Sequence, residues 1–219
     1  MKTPRLSLSR LHFPITTLGP GQRIGIWTQG CSIHCECCMS RDTWKFTRVG
    51  EAVHDVMEHI QPWLGAADGI TISGGEPFDQ AEALVAFLRM LRTRFDGDVL
   101  VYSGYSFEDL RTRHAAALSY IDVLISEPFI AAKATALPLR GSDNQRFCFL
   151  TPLGRSRFEV IANARTPVSA PALDAIVTAE GEFWLAGIPH PGDLQRLDEI
   201  LRRAGVRIAT SAGWMGESQ

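Results

Sequence analysis

The sequence predicts an α/β fold, a partial (βα) barrel followed by a mixed β-rich extension, and three observations lead there. Short β-type runs alternate with helically spaced apolar residues as far as Ser126, which implies a parallel sheet with right-handed crossovers. Three of those runs end in cysteines or glycines, the residues that bring a ligand close to a strand end. The alternation stops after Pro128.

The first run, Arg23–Thr28, leads into the cysteines, and Val53, Val56, Met57 and Ile60 then follow helical spacing. Gly69–Ser73 is a second strand ending in Gly74-Gly75, and Leu84, Phe87, Leu88 and Leu91 mark a second amphipathic helix. Val99–Ser103 is a third strand ending at Gly104. The next helix starts near Ser106, whose hydroxyl caps it, with Glu108 and Asp109 in the first turn. Ile121–Ser126 is the fourth strand. Beyond it, Phe129–Arg146 reads as a long loop with one short helical piece at most, and Phe147–Leu150 and Arg157–Ala162 read as strands. Thr166–Pro171 is a Pro-rich break, and Asp174–Leu185, with Gly181 near its middle, is a hairpin. Leu194, Leu197, Ile200 and Leu201 mark a last helix, and Val206–Thr210 a last strand. The chain divides into a core over 1–146 and a C-terminal extension over 147–219.

A length of 219 residues suits one domain or one domain with an extension, and 45% hydrophobic with 21% charged residues gives an ordinary globular core. A formal net charge of -2 provides no electrostatic case for nucleic acid. No apolar stretch approaches the ~20 residues of a membrane span. Lys2, Arg5 and Arg10 are followed by no continuous apolar run, because Ser7, Ser9 and Arg10 interrupt Leu6, Leu8 and Leu11. A signal peptide is therefore not expected, and a cytoplasmic location is.

Four of the five cysteines lie between positions 31 and 38. A disulfide framework would spread them out, whereas packed thiols in a cytoplasmic chain point to metal. Cys148 stands apart and reads as a small buried apolar residue. The spacing Cys31-x-x-x-Cys35-x-x-Cys38 serves zinc and iron–sulfur clusters alike. Cys37 adjoins Cys38, and neighbouring residues rarely point at one ion. The spacing thus leaves two readings: a zinc site completed by His34 or Cys148, or a [4Fe–4S] cluster on three thiolates with one iron open to a substrate.

The surrounding residues resemble the radical SAM superfamily, whose signature is C-x3-C-x2-C after a first strand. Gly19-Pro20-Gly21-Gln22-Arg23, Trp27, Gly30 with the three cysteines, and Thr43-Trp44 resemble the activating enzymes of anaerobic ribonucleotide reductase and related glycyl-radical activases. So do Ser73-Gly74-Gly75-Glu76-Pro77-Phe78 with Gln80, Tyr102-Ser103-Gly104-Tyr105, Ile121-Asp122-Val123-Leu124-Ile125, and Arg140-Gly141-Ser142 with Asn144-Gln145-Arg146. The resemblance runs in order from about Thr17 to Arg146.

It implies a partial barrel of radical SAM type, with a [4Fe–4S] cluster on Cys31, Cys35 and Cys38. It implies S-adenosylmethionine chelated to the open iron and cleaved reductively to a 5′-deoxyadenosyl radical. The backbone of Ser73, Gly74 and Gly75 is expected around the methionine amino group, with Glu76 supporting that loop or a neighbouring cation. Ser103 and Gly104 are expected near the methionine carboxylate or the ribose. Cys37 departs from the superfamily, which often has an aromatic or apolar residue near the adenine at this position; it is expected to fill that place as a small apolar group, the alternative being a thiol that competes for iron. Asp122 is expected to cap a neighbouring loop. Asn144, Gln145 and Arg146 would line the mouth, His34 would stand beside the ligands, and Trp44 would pack the loop against the barrel. The implied electron donor is a flavodoxin or ferredoxin, and the implied partner is a glycyl-radical enzyme. A peptide or small metabolite is the second substrate reading, and a zinc-binding interaction module is a third class. The residues after Arg146 carry no part of the resemblance and are expected to decide what the radical attacks.

Overall fold

A computed structural model describes residues 4–47, 49–167, 172–177 and 183–205 of the chain. The elements in order are β1 (Arg5–Leu6), β2 (Leu8–Ile15), β3 (Arg23–Thr28), β4 (Glu51–Ala52), α1 (Val53–Ile60), β5 (Gly69–Gly74), α2 (Ala81–Leu91), β6 (Asp98–Tyr102), α3 (Phe107–Arg113) and α4 (Ala115–Leu118). They continue with β7 (Val123–Ser126), β8 (Arg146–Phe149), α5 (Pro152–Ala162), β9 (Leu173–Val177), β10 (Phe183–Gly187) and α6 (Asp193–Arg203).

Among the described residues the main sheet has six strands in the order β2-β3-β5-β6-β7-β8. The inner four, β3, β5, β6 and β7, are parallel, as the alternation predicts. The edge strands β2 and β8 run antiparallel, so the sheet is mixed. β2 was not read from the sequence: its apolar residues are broken by Ser9, Arg10 and His12, and it gains its place by pairing with β3.

The inner strands are apolar almost throughout because both faces of the sheet are covered. Val99 and Val101 point to a cluster built with Met57 and Ile60 of α1 and Leu84, Phe87, Leu88 and Leu91 of α2. Leu100, Val123 and Ile125 face the other way, onto Phe158 of α5. Ile176 of β9 and Ala186 of β10 extend that second layer over Ile15, Leu18 and Trp27.

One expected strand is a helix. Arg157–Ala162 falls inside α5, which begins at a capped turn: Pro152 occupies the first turn, and the Thr151 hydroxyl accepts from the Gly154 N–H. Gly154 lies flush on the sheet, since a Cβ there would sit 2.2 Å from the Asp122 carbonyl oxygen. Three further expectations about individual elements hold. Ser106 caps α3 by accepting from the Asp109 N–H at 3.1 Å. Ala131–Lys133 is a short 3-10 turn within the long loop, and β9 and β10 form the hairpin. The expected strand at Val206–Thr210 lies outside the described residues. No helix among the described residues is long and apolar enough to cross a membrane.

The N-terminal ends of the parallel strands are closed by a buried ion network. Arg23 donates to Thr71 Oγ1 (2.7 Å), the Ile70 carbonyl (2.8 Å) and Asp98 Oδ1 (2.5 Å). Arg157 of α5 lies 2.7 Å from Asp98 Oδ2.

Candidate functional site

The opposite, C-terminal ends of the strands carry the candidate site, as parallel α/β architectures favour. β3 ends at Thr28, and the chain enters the cysteine loop through Gly30, whose φ of 104° is open to glycine. The returning segment holds the start of this loop. The Gly30 N–H donates to the Thr43 carbonyl (2.7 Å), and the Cys31 N–H to the Trp44 carbonyl (3.1 Å). Asp79, just past the β5 exit, accepts from the Ser32 N–H (2.7 Å), the Ser32 hydroxyl (2.9 Å) and the Tyr105 hydroxyl (2.7 Å). Loops after three strands are tied together at that one carboxylate. The Trp44 ring stacks on His34, centroids 4.6 Å apart, a contact within the loop where packing against the barrel was expected. His34 and Cys37 take positive φ values of 52° and 59°, the tight bends that separate the three spaced cysteines.

The β5 exit touches the cysteine loop backbone to backbone. The Gly75 N–H donates to the Thr28 carbonyl and the Glu76 N–H to the Gly30 carbonyl, both at 2.8 Å. A Cβ on Gly75 would lie 2.1 Å from the Gly30 oxygen, so a larger residue has no room there. Glu76 then bridges to the β6 exit. Its buried carboxyl accepts from the Phe78 N–H (3.1 Å), the Ser103 hydroxyl (2.8 Å) and the Gly104 N–H (2.7 Å). Burial pushes its pKa from 4.5 up to about 7, against the pull of those donors. Glu76 therefore supports the loops, one of the two roles expected of it. Ser103 and Gly104 have their hydroxyl and N–H committed to Glu76.

All ten residues expected at the site line a single cavity of about 720 Å³: Cys31, Cys35, Cys37, Cys38, Ser73, Gly74, Gly75, Glu76, Ser103 and Gly104. Burial raises the pKa of the Cys31 and Cys35 thiols, and for Cys35 the nearby Cys38 adds to the effect. Among the described residues no three His, Cys, Asp or Glu side chains converge as one metal ion requires. A cluster asks something different of its ligands, one thiolate for each iron. The two groups considered as a fourth zinc ligand are engaged elsewhere. His34 is stacked on Trp44, and Cys148 sits on β8 with its sulfur 3.8 Å from the Ser126 hydroxyl, packed against the core.

The mouth residues divide. Gln145 lines the cavity, whereas Asn144 donates to the Pro128 carbonyl (2.7 Å) and Arg146 pairs with Glu108 (3.0 Å). Asp122 is structural: it pairs with Arg92 and accepts from the Val99 N–H (2.8 Å) and the Thr151 hydroxyl (2.5 Å). Sequence reasoning missed one wall of the cavity, which comes from Gly187 to Asp198. Its Ile188-Pro189-His190-Pro191-Gly192 run has no periodicity and reads only as a loop.

Comparison with known proteins bears on this cavity. The 4Fe-4S single cluster domain family matches residues 17–148. The chain is 35% identical over 144 residues to the anaerobic ribonucleoside-triphosphate reductase-activating protein of Haemophilus influenzae, covering 61% of this chain and 92% of that protein. It is 32% identical over 136 residues to the protein of the same name from Enterobacteria phage T4, covering 58% and 84%. A shorter match, 34% over 82 residues, is to the pyruvate formate-lyase-activating enzyme of Listeria monocytogenes, covering 35% and 33%.

Proposed function

The chain belongs to the 4Fe-4S single cluster domain family, and from that premise we propose that it is a radical SAM enzyme of the glycyl-radical-activating type. One observation carries the reading: the three spaced thiols, the Ser73-Gly74-Gly75-Glu76 turn and the Ser103-Gly104 turn all line one cavity. The donor set fits a [4Fe–4S] cluster, because three thiols on one bent loop supply three irons and leave the fourth for a ligand. When bound, the cluster supplies the electron that splits S-adenosylmethionine into methionine and a 5′-deoxyadenosyl radical.

The chain's own residues bind and orient. Cys31, Cys35 and Cys38 are the cluster ligands. The Ser73, Gly74 and Gly75 backbone receives the methionine amino group, and the lack of side chains at Gly74 and Gly75 lets this turn lie directly on Thr28 and Gly30 beside the cysteine loop. Glu76 keeps the β5 and β6 exits in register, so that Ser103 and Gly104 present a fixed turn to the methionine carboxylate or ribose. Cys37 lies on the adenine side. The open six-stranded sheet is read as the partial barrel of radical SAM type. The partner is a glycyl-radical enzyme, from whose glycine a Cα hydrogen atom is taken. The electron comes from a flavodoxin or ferredoxin, and the location is cytoplasmic.

The test is anaerobic reconstitution with iron and sulfide. The expected result is about four irons and four sulfides per chain, as a [4Fe–4S] cluster requires. Reductant and S-adenosylmethionine should then yield 5′-deoxyadenosine. Added anaerobic ribonucleoside-triphosphate reductase from the same genome should give a glycyl-radical doublet in electron paramagnetic resonance. A protein that binds stoichiometric zinc and yields no 5′-deoxyadenosine overturns the reading.

A further inference from the structure

The cavity wall at 187–198 lies beyond the family match, which ends at residue 148. The Haemophilus influenzae relative is already matched over 92% of its length, leaving too little chain to build an equivalent. In this protein the wall is firmly mounted. Asp174, at the base of the hairpin, accepts from the N–H and hydroxyl of both Thr16 and Thr17 at 2.7–3.0 Å. The Trp184 ring meets Trp27 edge-on at 5.2 Å and His12 at 5.6 Å, and Trp27 itself lines the cavity. The Ile188 N–H closes the turn onto the Ala172 carbonyl at 3.1 Å. Gly187 makes that turn at φ 129°, where a Cβ would strike the same oxygen at 2.1 Å. His190 and Asp193 then lead into α6, the His190 N–H donating to Asp193 Oδ2 at 2.9 Å.

The chemistry of this wall narrows what it meets. Ile188, Pro189, Pro191 and Leu194 are apolar, and Gln195 brings an uncharged donor and acceptor together. The charged side chains lining the whole cavity are Glu36, Glu76, Glu127 and Asp198 against Arg41 alone, which disfavours a phosphorylated metabolite. Size points the same way. A cavity of about 720 Å³ falls within the ~300–1,000 Å³ that enclose one drug-sized ligand, and S-adenosylmethionine is such a ligand by itself.

We infer that residues 187–198 are the wall against which a glycine-bearing stretch of a partner polypeptide is held, Ile188 and Leu194 packing it and Gln195 pairing its backbone amides. The inference rests on the glycyl-radical reading above and adds a specificity surface that the matched segment of the family does not contain.

The test is binding, read before any iron is added. The protein as purified is titrated calorimetrically with the anaerobic ribonucleoside-triphosphate reductase of the same genome. Leu194→Glu is expected to weaken binding at least about tenfold and Gln195→Ala about threefold, the range of well-packed and peripheral contacts. Leu194→Met should restore it. Iron bound per chain after reconstitution should match the parent in all three, which separates loss of the wall from loss of the fold. Unchanged affinity in both Leu194→Glu and Gln195→Ala overturns the inference, as does a parent protein that does not bind the reductase. A parent that binds the reductase but takes up no cluster refutes the cluster reading and leaves the wall standing.

Discussion

Two buried carboxylates, Asp98 and Glu76, stand at opposite ends of the same parallel strands and are held by different means. Asp98 faces two guanidiniums, Arg23 and Arg157. Glu76 faces only neutral donors, the Phe78 N–H, the Ser103 hydroxyl and the Gly104 N–H. Ion pairs hold the first carboxylate in place; burial without a cation pushes the pKa of the second up to about 7. The difference teaches which end is scaffold and which is site. At the Asp98 end even glycine serves packing: a Cβ on Gly69 would fall 2.3 Å from the Arg23 guanidinium. At the Glu76 end the glycines let one strand exit lie on the next: a Cβ on Gly74 would fall 2.5 Å from the Thr28 nitrogen, and one on Gly75 2.1 Å from the Gly30 oxygen.

The largest expected effect separates the two ends outright. Replacing Cys31, Cys35 or Cys38 with Ala should abolish iron uptake and 5′-deoxyadenosine formation while leaving the circular dichroism spectrum and denaturation midpoint close to the parent. A variant that keeps both iron and 5′-deoxyadenosine output would remove the thiol assignment. Asp98→Asn is the mirror experiment. It strands two guanidiniums, one of them fully buried, and should cost about 3–5 kcal/mol in a urea titration. The molecules that remain folded should still take up iron.

Next in size is a pH effect specific to Glu76. The unfolded chain releases this proton near 4.5 and the folded chain near 7, so between those values the folded state holds the extra proton. Stability should therefore fall as pH rises through that window, by up to about 3 kcal/mol, and this contribution should level off above it. Glu76→Gln removes the titration, and the difference between parent and variant urea curves from pH 5 to pH 8 should slope accordingly. Parallel curves would show that Glu76 ionises like an exposed carboxylate. The smallest effect tests the site end away from the cavity. Ser106→Ala deletes the cap of α3 and should cost about 1 kcal/mol with iron uptake unchanged.

What was legible in the sequence follows from the same contrast. The parallel strands could be read because both their faces are apolar and their exits are marked by cysteine or glycine. The ten residues expected at the site meet on one cavity because each lies at such an exit or in the loop that follows it. β2 could not, since an edge strand with one neighbour tolerates Ser9, Arg10 and His12. α5 was mistaken for a strand because Phe158 is its one large buried side chain, so no helical stripe shows; the signal that was present, Thr151-Pro152, is local capping chemistry. The Glu76 bridge was foreseen as support but not its partners, because Ser103 and Gly104 lie more than 25 residues away and meet it only through the sheet. The wall at 187–198 was beyond reach for a related reason: its place over the cavity is set by Asp174, whose partners lie at the far end of the chain.

That Asp174 clasp also orders events during synthesis. It joins positions 157 and 158 residues apart, so Thr16 and Thr17 leave the ribosome long before the carboxylate that accepts from them exists. The cysteines, the β5 and β6 exits and β8 are all made in between. The nascent protein thus completes its thiol-bearing rim while one side still stands open, and the closing piece is translated only afterwards. Delivery of iron has an interval in which nothing made later obstructs it, and maturation becomes a question of timing as much as of affinity.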